Sequence, residues 1–289
     1  MGSMFVFLSV GASLVSTPAD KHTNRELLNH IIYIMSTNWF GAYTLLKKEI
    51  WRFMKVYHQT LFSPVINIIL FLAVFSLAVG DKVKTIEEVP FTLFMSAGLI
   101  MMAAMQNSFA NSSSSFVMGR VLGHIIDYLI PPLGAFEILI AFTLGAILRG
   151  IAVAIVAVVT ISFFVELSFY SLMHALFYLL FSCMFLGLLG VLCGIFSETF
   201  DQMSAMTSYV ITPLTFLSGT FYSTNSLPDF WQKVSHFNPF FYMIDGFRYS
   251  LTGYHDGNLL TGMIYIISIN IILWFVLLFL IKKGVGIKS

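Results

Sequence analysis

Residues Leu214–Tyr249 read LTFLSGTFYSTNSLPDFWQKVSHFNPFFYMIDGFRY. The stretch opens as the end of an apolar helix and leaves it at Phe221 and Tyr222. A short amphipathic run comes next, with Leu227, Phe230, Trp231, Val234 and Phe237 on one face at helical spacing. Pro228 starts that run and Asn238-Pro239 breaks it. The chain then returns through Phe240, Phe241 and Tyr242 to Asp245 and Arg248, which are three apart and can pair on one helical face. Such a pair, exposed, contributes only about 0.3–0.5 kcal/mol, so its expected role is to orient the turn into the next helix. A plain connection between membrane helices needs neither two proline-marked segments nor so many aromatics. A cap half-sunk in the headgroup layer needs both, because Trp and Tyr settle at the membrane–water boundary.

Composition agrees with a bilayer. Hydrophobic residues make up 58% of the 289 and charged residues 10%, far from the balance of a soluble domain. A net charge of +1 leaves no basic stripe for nucleic acid. The two cysteines, Cys183 and Cys193, fall ten residues apart in one apolar segment. On a helix that is roughly 15 Å, too far for a disulfide. The seven histidines are scattered and form no metal-binding pair.

Six segments are long enough to cross about 30 Å of hydrocarbon: approximately 61–79, 91–110, 138–165, 169–195, 205–222 and 261–281. Arg149-Gly150 interrupts the third, and Arg149 reads as snorkelling at its inner end. Ser112–Ser115 reads as a loop. With both termini inside, eleven cationic residues are cytoplasmic: Lys21, Arg25, Lys47, Lys48, Arg52, Lys55, Arg120, Arg149, Lys282, Lys283 and Lys288. Four lie outside: Lys82, Lys84, Lys233 and Arg248. The asymmetry favours cytoplasmic N- and C-termini and places the cap outside. Residues 1–35 read as a cytoplasmic lead-in, with Met1-Gly2-Ser3 resembling a cloning remnant, and residues 36–289 as one transmembrane domain.

Two further elements face the inner side. In residues 36–60, Trp39, Tyr43, Leu46, Ile50, Phe53 and Tyr57 recur at intervals of three and four, and Lys47, Lys48, Arg52 and Lys55 lie on the other flank. A basic amphipathic helix before a first span is drawn to anionic lipid at the interface. Between the second and third spans, Val121, Leu122, Ile125, Ile126, Leu129 and Ile130 form a short apolar-faced run, stopped by Pro131-Pro132.

These patterns together resemble the ABC-2 family of exporter permeases. The "leu-ser-gly, aromatic, leu-pro, asn-pro, tyr…asp…arg" run of that family's last extracytoplasmic segment is matched by Leu217-Ser218-Gly219, Leu227-Pro228, Asn238-Pro239, Tyr242, Asp245 and Arg248. The loop after the second span resembles the family's coupling helix through Val121, Leu122, Ile125, Ile126, Asp127, Leu129, Pro131, Pro132 and Glu137. The resemblance runs roughly from Trp39 to Lys283. It implies an all-α membrane protein of six transmembrane helices, with an N-terminal amphipathic interface helix, a cytoplasmic coupling helix and an extracytoplasmic helical cap. It implies a homodimeric permease in a bacterial inner membrane, docked to two copies of a separate ABC ATPase that binds ATP and Mg. The cargo expected is amphiphilic, lipidic or glycan, moved outward.

The chain itself carries no Gly-Lys dipeptide, hence no phosphate-binding loop of Walker A type, and no Gly-x-Ser-x-Gly elbow. No catalytic residue, cofactor site or metal site is expected in it. Ion-coupled carriers keep ionisable residues near the midplane, and the predicted span cores show none. The competing readings are an intramembrane lipid-modifying enzyme, which lacks the paired acids it needs, and a non-transporting scaffold. His174 reads as a structural, hydrogen-bonded residue, and Glu198 with Asp201 as a solvated turn.

Overall fold

The computed structural model describes residues 38–79, 85–86, 89–123 and 133–285. The chain divides into the units Met1–Trp39 and Phe40–Ser289, of the first of which only Asn38 and Trp39 are described.

Ten α-helices carry the described fold. Helix α1 spans Trp39–Lys55 and α2 Ser63–Val79, joined by a π-helical turn at His58–Phe62. A two-residue antiparallel ladder, β1 (Thr85–Ile86) with β2 (Val89–Pro90), leads into α3 (Phe91–Val121). Then come α4 (Ala135–Ser162), α5 (Leu172–Phe196), α6 (Phe200–Met206), a second π-helical turn at Thr207–Ile211, and α7 (Thr212–Leu217). A 3-10 turn at Thr224–Ser226 precedes α8 (Asp229–Phe237), α9 (Pro239–Thr252) and α10 (Leu259–Lys282).

Five helices are long and apolar enough to span a bilayer: His58–Phe75 within the π-turn and α2, then α3, α4, α5 and α10. The fifth expected span is instead a segmented helical run, Phe200–Leu217, shifted about one turn N-terminal of expectation. Both π-turns stand two residues before a proline, Pro64 and Pro213. A proline inside a helix clashes with the carbonyl four residues back, and widening the preceding turn relieves that clash.

Within the unit Phe40–Ser289, helix α3 is packed along its length by α4 and α5. It runs through the tract read as a loop, and Asn111, Ser112, Ser113 and Ser115 are buried. The serines are polar in composition but small in volume. They face the glycines of α5: a Cβ on Gly190 would fall 2.5 Å from the Phe109 carbonyl oxygen, and one on Gly194 would fall 2.5 Å from the Phe116 Cβ. Small residues on both sides let two membrane helices approach backbone to backbone. Each buried serine hydroxyl can also turn back to its own helix, as Ser113 Oγ does to the Phe109 carbonyl at 2.8 Å.

Arg149-Gly150 does not interrupt α4, which is continuous. Arg149 sits about 20 Å from either end of that helix, so it is a mid-helix residue rather than a snorkelling one. Gly150 marks a three-helix crossing, where a Cβ would strike Ser108 Oγ and the Cys183 thiol. Both cysteines are free and buried.

Candidate functional site

At one end of the bundle the chain turns out of α7 at Gly219, whose φ of +75° is open to glycine at little cost. Asn238 fastens the segment beyond this turn. Its Nδ2 donates to the Leu214 carbonyl at 2.9 Å and to Ser218 Oγ at 2.8 Å, while its Oδ1 accepts from the Phe240 amide at 3.1 Å. One side chain therefore ties the end of α7 to the start of α9, with Pro239 pre-set for the first helical position.

The two halves of the cap differ. Helix α8 turns its aromatic side outward: Trp231 is 47% and Phe237 83% exposed, and Phe230 is exposed beside Trp231. Its small face meets the bundle, with the buried Ser235 hydroxyl donating to the Leu217 carbonyl at 3.3 Å. Pro228 caps α8, and Leu227 is half-buried. Helix α9 is not interfacial. Phe240, Phe241, Met243, Ile244 and Phe247 are buried against α3, α5 and α10. Gly246 receives the Tyr178 ring of α5. Tyr242 is half-buried, 5.4 Å from the Tyr265 ring of α10.

The expected Asp245–Arg248 pair exists at 3.6 Å, but it is buried rather than exposed. Asp256, which sequence reasoning overlooked, completes it at 3.7 Å from Arg248. Arg248 Nη2 donates to the Gly219 carbonyl, and its guanidinium stacks 3.7 Å from the centre of the Phe94 ring. Asp245 accepts the Asp256 amide at 2.8 Å and the Gly257 amide at 2.9 Å. Asp256 accepts from Ser223 Oγ at 2.7 Å, the Thr224 amide at 2.9 Å, Tyr254 Oη at 2.5 Å and Asn225 Nδ2 at 3.2 Å. Burial pushes Asp245 up from the ordinary carboxylate range against the pull of Arg248. Burial likewise lowers Arg248, opposed by the two aspartates. The network joins the α7 exit, α9 and the turn before α10 to the start of α3.

At the other end, α1 leaves most of its aromatic stripe exposed and packs an adjacent face inward, with Phe53 the stripe's one buried aromatic. Trp39, Tyr43 and Tyr57 are exposed, and the face packed inward is Ala42, Leu45, Glu49 and Phe53. Glu49 is fully buried. Its carboxylate accepts from Ser115 Oγ at 2.7 Å and from Arg52 at 3.0 Å. Arg52, expected on the basic flank with the three lysines, turns inward and also donates to the Asn111 carbonyl at 2.6 Å and to Ser114 Oγ at 3.0 Å. Lys47, Lys48 and Lys55 stay on the exposed side. A lone acid among basic residues hides this lock; only its four-residue spacing from both Leu45 and Phe53 carries a signal.

Of the expected coupling residues, Val121 and Leu122 end α3 and are exposed. Glu137 is buried in the first turn of α4, where an acid suits the helix dipole. Ile125, Ile126, Asp127, Leu129, Pro131 and Pro132 lie outside the described residues. His174 pairs with Ser171 Oγ at 2.8 Å. Among the described residues no group of three His, Cys, Asp or Glu side chains is placed to hold a metal ion.

Between the two ends lies a cavity of about 570 Å³, walled by α1, α2, α3, α4 and the Phe200–Leu217 run. Its polar lining includes Arg52, Gln59, Asn67, Gln106, Asn107 and Arg149.

Long apolar helices with a partly polar cavity among them define a multi-pass membrane protein. The comparisons narrow this class. The ABC-2 type transporter family model matches residues 41–252, and the chain belongs to that family. It is 35% identical over 260 residues to the inner membrane transport permease YadH of Escherichia coli K12, covering 89% of this chain and all of that protein. The YadH permeases of E. coli O157:H7 and Shigella flexneri match to the same extent. The chain is accordingly a transport permease of the ABC-2 type.

Proposed function

We propose that this permease forms the translocation path of an ATP-driven exporter in a bacterial inner membrane. In this reading two copies stand side by side, two copies of a separate ABC ATPase bind ATP and Mg, and an amphiphilic, lipidic or glycan cargo moves outward. The carrying observation is a distance along α3. The cap meets this helix at Phe94 and α1 meets it at Ser115. Twenty-one residues of helix separate the two contacts by roughly 30 Å, the thickness of the hydrocarbon core. This separation supports placing the cap and α1 at opposite faces of the membrane.

Charge gives the direction. Leaving out Arg149 at mid-helix and the buried Arg248, seven Lys and Arg among the described residues (Lys47, Lys48, Arg52, Lys55, Arg120, Lys282 and Lys283) fall on the α1 side against Lys233 on the cap side. Termini are then cytoplasmic, and Phe200–Leu217 serves as a sixth span, with its 18 residues covering about 27 Å. Exposed Val121 and Leu122 lie on the ATPase side, continuous with the aliphatic run after them.

Cysteine accessibility tests the arrangement, since Cys183 and Cys193 are buried and give little background. Trp231→Cys is expected to react with an impermeant maleimide in intact cells. Lys283→Cys is expected to react only after permeabilisation. Reaction of position 231 from the cytoplasmic side alone would invert the topology and remove the export reading.

A further inference from the structure

Charge is scarce in this bundle, yet two arginines share its polar cavity. Arg52 is matched by Glu49, and both Glu49 oxygens are occupied, one by Arg52 and one by Ser115. Arg149 has no such partner. Its Nη2 donates to Asn107 Oδ1 at 3.0 Å, a neutral acceptor, and its buried Nε has no hydrogen-bond partner. Among the described residues no carboxylate pairs with it. Arg52 stands near enough to repel it. Taken together, Glu49, Arg52 and Arg149 leave one uncompensated positive charge inside the apolar part of the molecule. An ionised side chain at that depth is expensive unless something neutralises it.

The surroundings are shaped for an anion attached to an apolar body. Gln106, Gln59 and Thr207 add neutral hydrogen-bonding groups to the same cavity, and Phe71, Leu99 and Met102 give it an apolar wall. Arginine suits phosphate because its planar fork donates two parallel bonds. Both π-turns border the cavity: Thr60 and Pro64 line it from one, Thr207 from the other. Widened turns of this kind are frequent at functional sites in helices. Along α3, Asn107 lies about 12 Å from the α1 contact at Ser115 and about 20 Å from the cap contact at Phe94. The cavity is thus nearer the α1 face.

We infer that the cavity lined by Arg52 and Arg149 binds the phosphate of an amphiphile whose headgroup carries net negative charge. The inference rests on the permease reading, in that this headgroup belongs to the cargo, held on the α1 side before its passage toward the cap. Arg149 takes the phosphate through the part of its guanidinium that lines the cavity, with Arg52 as the second cation and the apolar wall against the first part of the chain.

Binding to the purified permease, without its ATPase, tests this independently of transport and of topology. Native mass spectrometry in a neutral detergent would compare dioleoyl phosphatidic acid, dioleoyl phosphatidylcholine and inorganic phosphate. Phosphatidic acid is expected to bind at least about tenfold tighter than either of the others, the worth of one charge-assisted hydrogen bond. Arg149→Gln is expected to remove that preference. Asn107→Asp provides a second arm, because it places a resident carboxylate at the 3.0 Å position. It should raise the melting temperature while abolishing phosphatidic acid binding, a combination that misfolding cannot produce. Equal binding of phosphatidylcholine, or unchanged binding to Arg149→Gln or Asn107→Asp, would overturn the anion site. Inorganic phosphate binding as tightly as the lipid would overturn the amphiphile. In each such case the accessibility pattern of positions 231 and 283 would stand unaffected.

Discussion

Asp256 Oδ2 lies 3.7 Å from Arg248 Nη1, although the two residues belong to different elements, the turn before α10 and the middle of α9. Neither side chain is exposed. The ion pair that sequence spacing offers, Asp245–Arg248, is therefore one side of a triad. Its third member holds the Ser223–Asn225 turn through four hydrogen bonds and the Tyr254 hydroxyl through a fifth. The cap is fixed to the bundle by charge at a point where α8 itself makes little contact.

Removing Arg248 leaves two buried carboxylates facing each other. Loss of one partner from a buried ionic cluster costs about 3–5 kcal/mol. Arg248→Ala should therefore lower the melting temperature of the detergent-solubilised protein by many degrees and reduce its membrane abundance. Arg248→Lys should recover only part, because a point charge cannot reach the Gly219 carbonyl and stack on Phe94 at once. A melting curve of Arg248→Ala that overlays the parent would mean that the triad is not a fastening.

Tyr254 gives the same region a pH signature. Burial first, then its hydrogen bond to Asp256, push its hydroxyl up to about 12 from an ordinary value near 10. The folded protein holds this proton where the unfolded chain releases it. The stabilisation is thus whole below about pH 10 and is lost as pH rises toward 12. Melting temperatures from pH 8 to pH 11 should fall less steeply for Tyr254→Phe than for the parent, from a lower value at pH 8. Parallel slopes would show that the hydroxyl contributes nothing to the alkaline limb.

Five of the six expected spans were legible because length and hydropathy alone specify a membrane helix; the expected 205–222 span is instead the segmented run Phe200–Leu217, broken by its π-turn. The exposed aromatic face of α8 was legible because a short helix with a strong two-sided pattern has few other uses. Four features were not. The Ser112–Ser115 tract looks like a loop in water, yet in a bilayer small hydroxyl residues are close-packing residues, and its partners, Gly190 and Gly194, lie about 80 residues away. Glu49 is hidden by its basic neighbours, and its burial depends on Ser115. The Asp245–Arg248 spacing is visible, but its burial is set by Phe94, remote in sequence. Asp256 belongs to a turn with no pattern of its own, and its donors lie at Ser223–Asn225.

Among the side chains that a partner can reach at the end of α3 are Val121 and Leu122, the latter 58% exposed. An exposed aliphatic pair at a helix terminus contributes nothing to the core, so its replacement should be silent in folding. Leu122→Asp is expected to leave membrane abundance and melting unchanged while lowering co-purification of the ATPase several-fold. Undiminished capture would remove this end of α3 from the docking surface.

Asn238 and Trp231 share one segment but should fail in different ways. Asn238 is buried and carries three hydrogen bonds that join α7 to α9. Asn238→Ala loses an N-cap and leaves the Leu214 carbonyl and Ser218 hydroxyl short of a donor, a cost of about 1–3 kcal/mol. Abundance and transport should then fall together. Trp231 projects from the cap and closes no cavity in the bundle, so Trp231→Ala should leave the melting temperature within about a degree. If the aromatic face acts on the export path, transport should still drop, and Trp231→Phe should restore less than full activity. If it only anchors the cap in the interface, Phe should restore everything. Transport, ATPase capture and abundance measured on the three variants separate the two roles. A fall in abundance for Trp231→Ala that matches its fall in transport would leave the cap a structural element and nothing more.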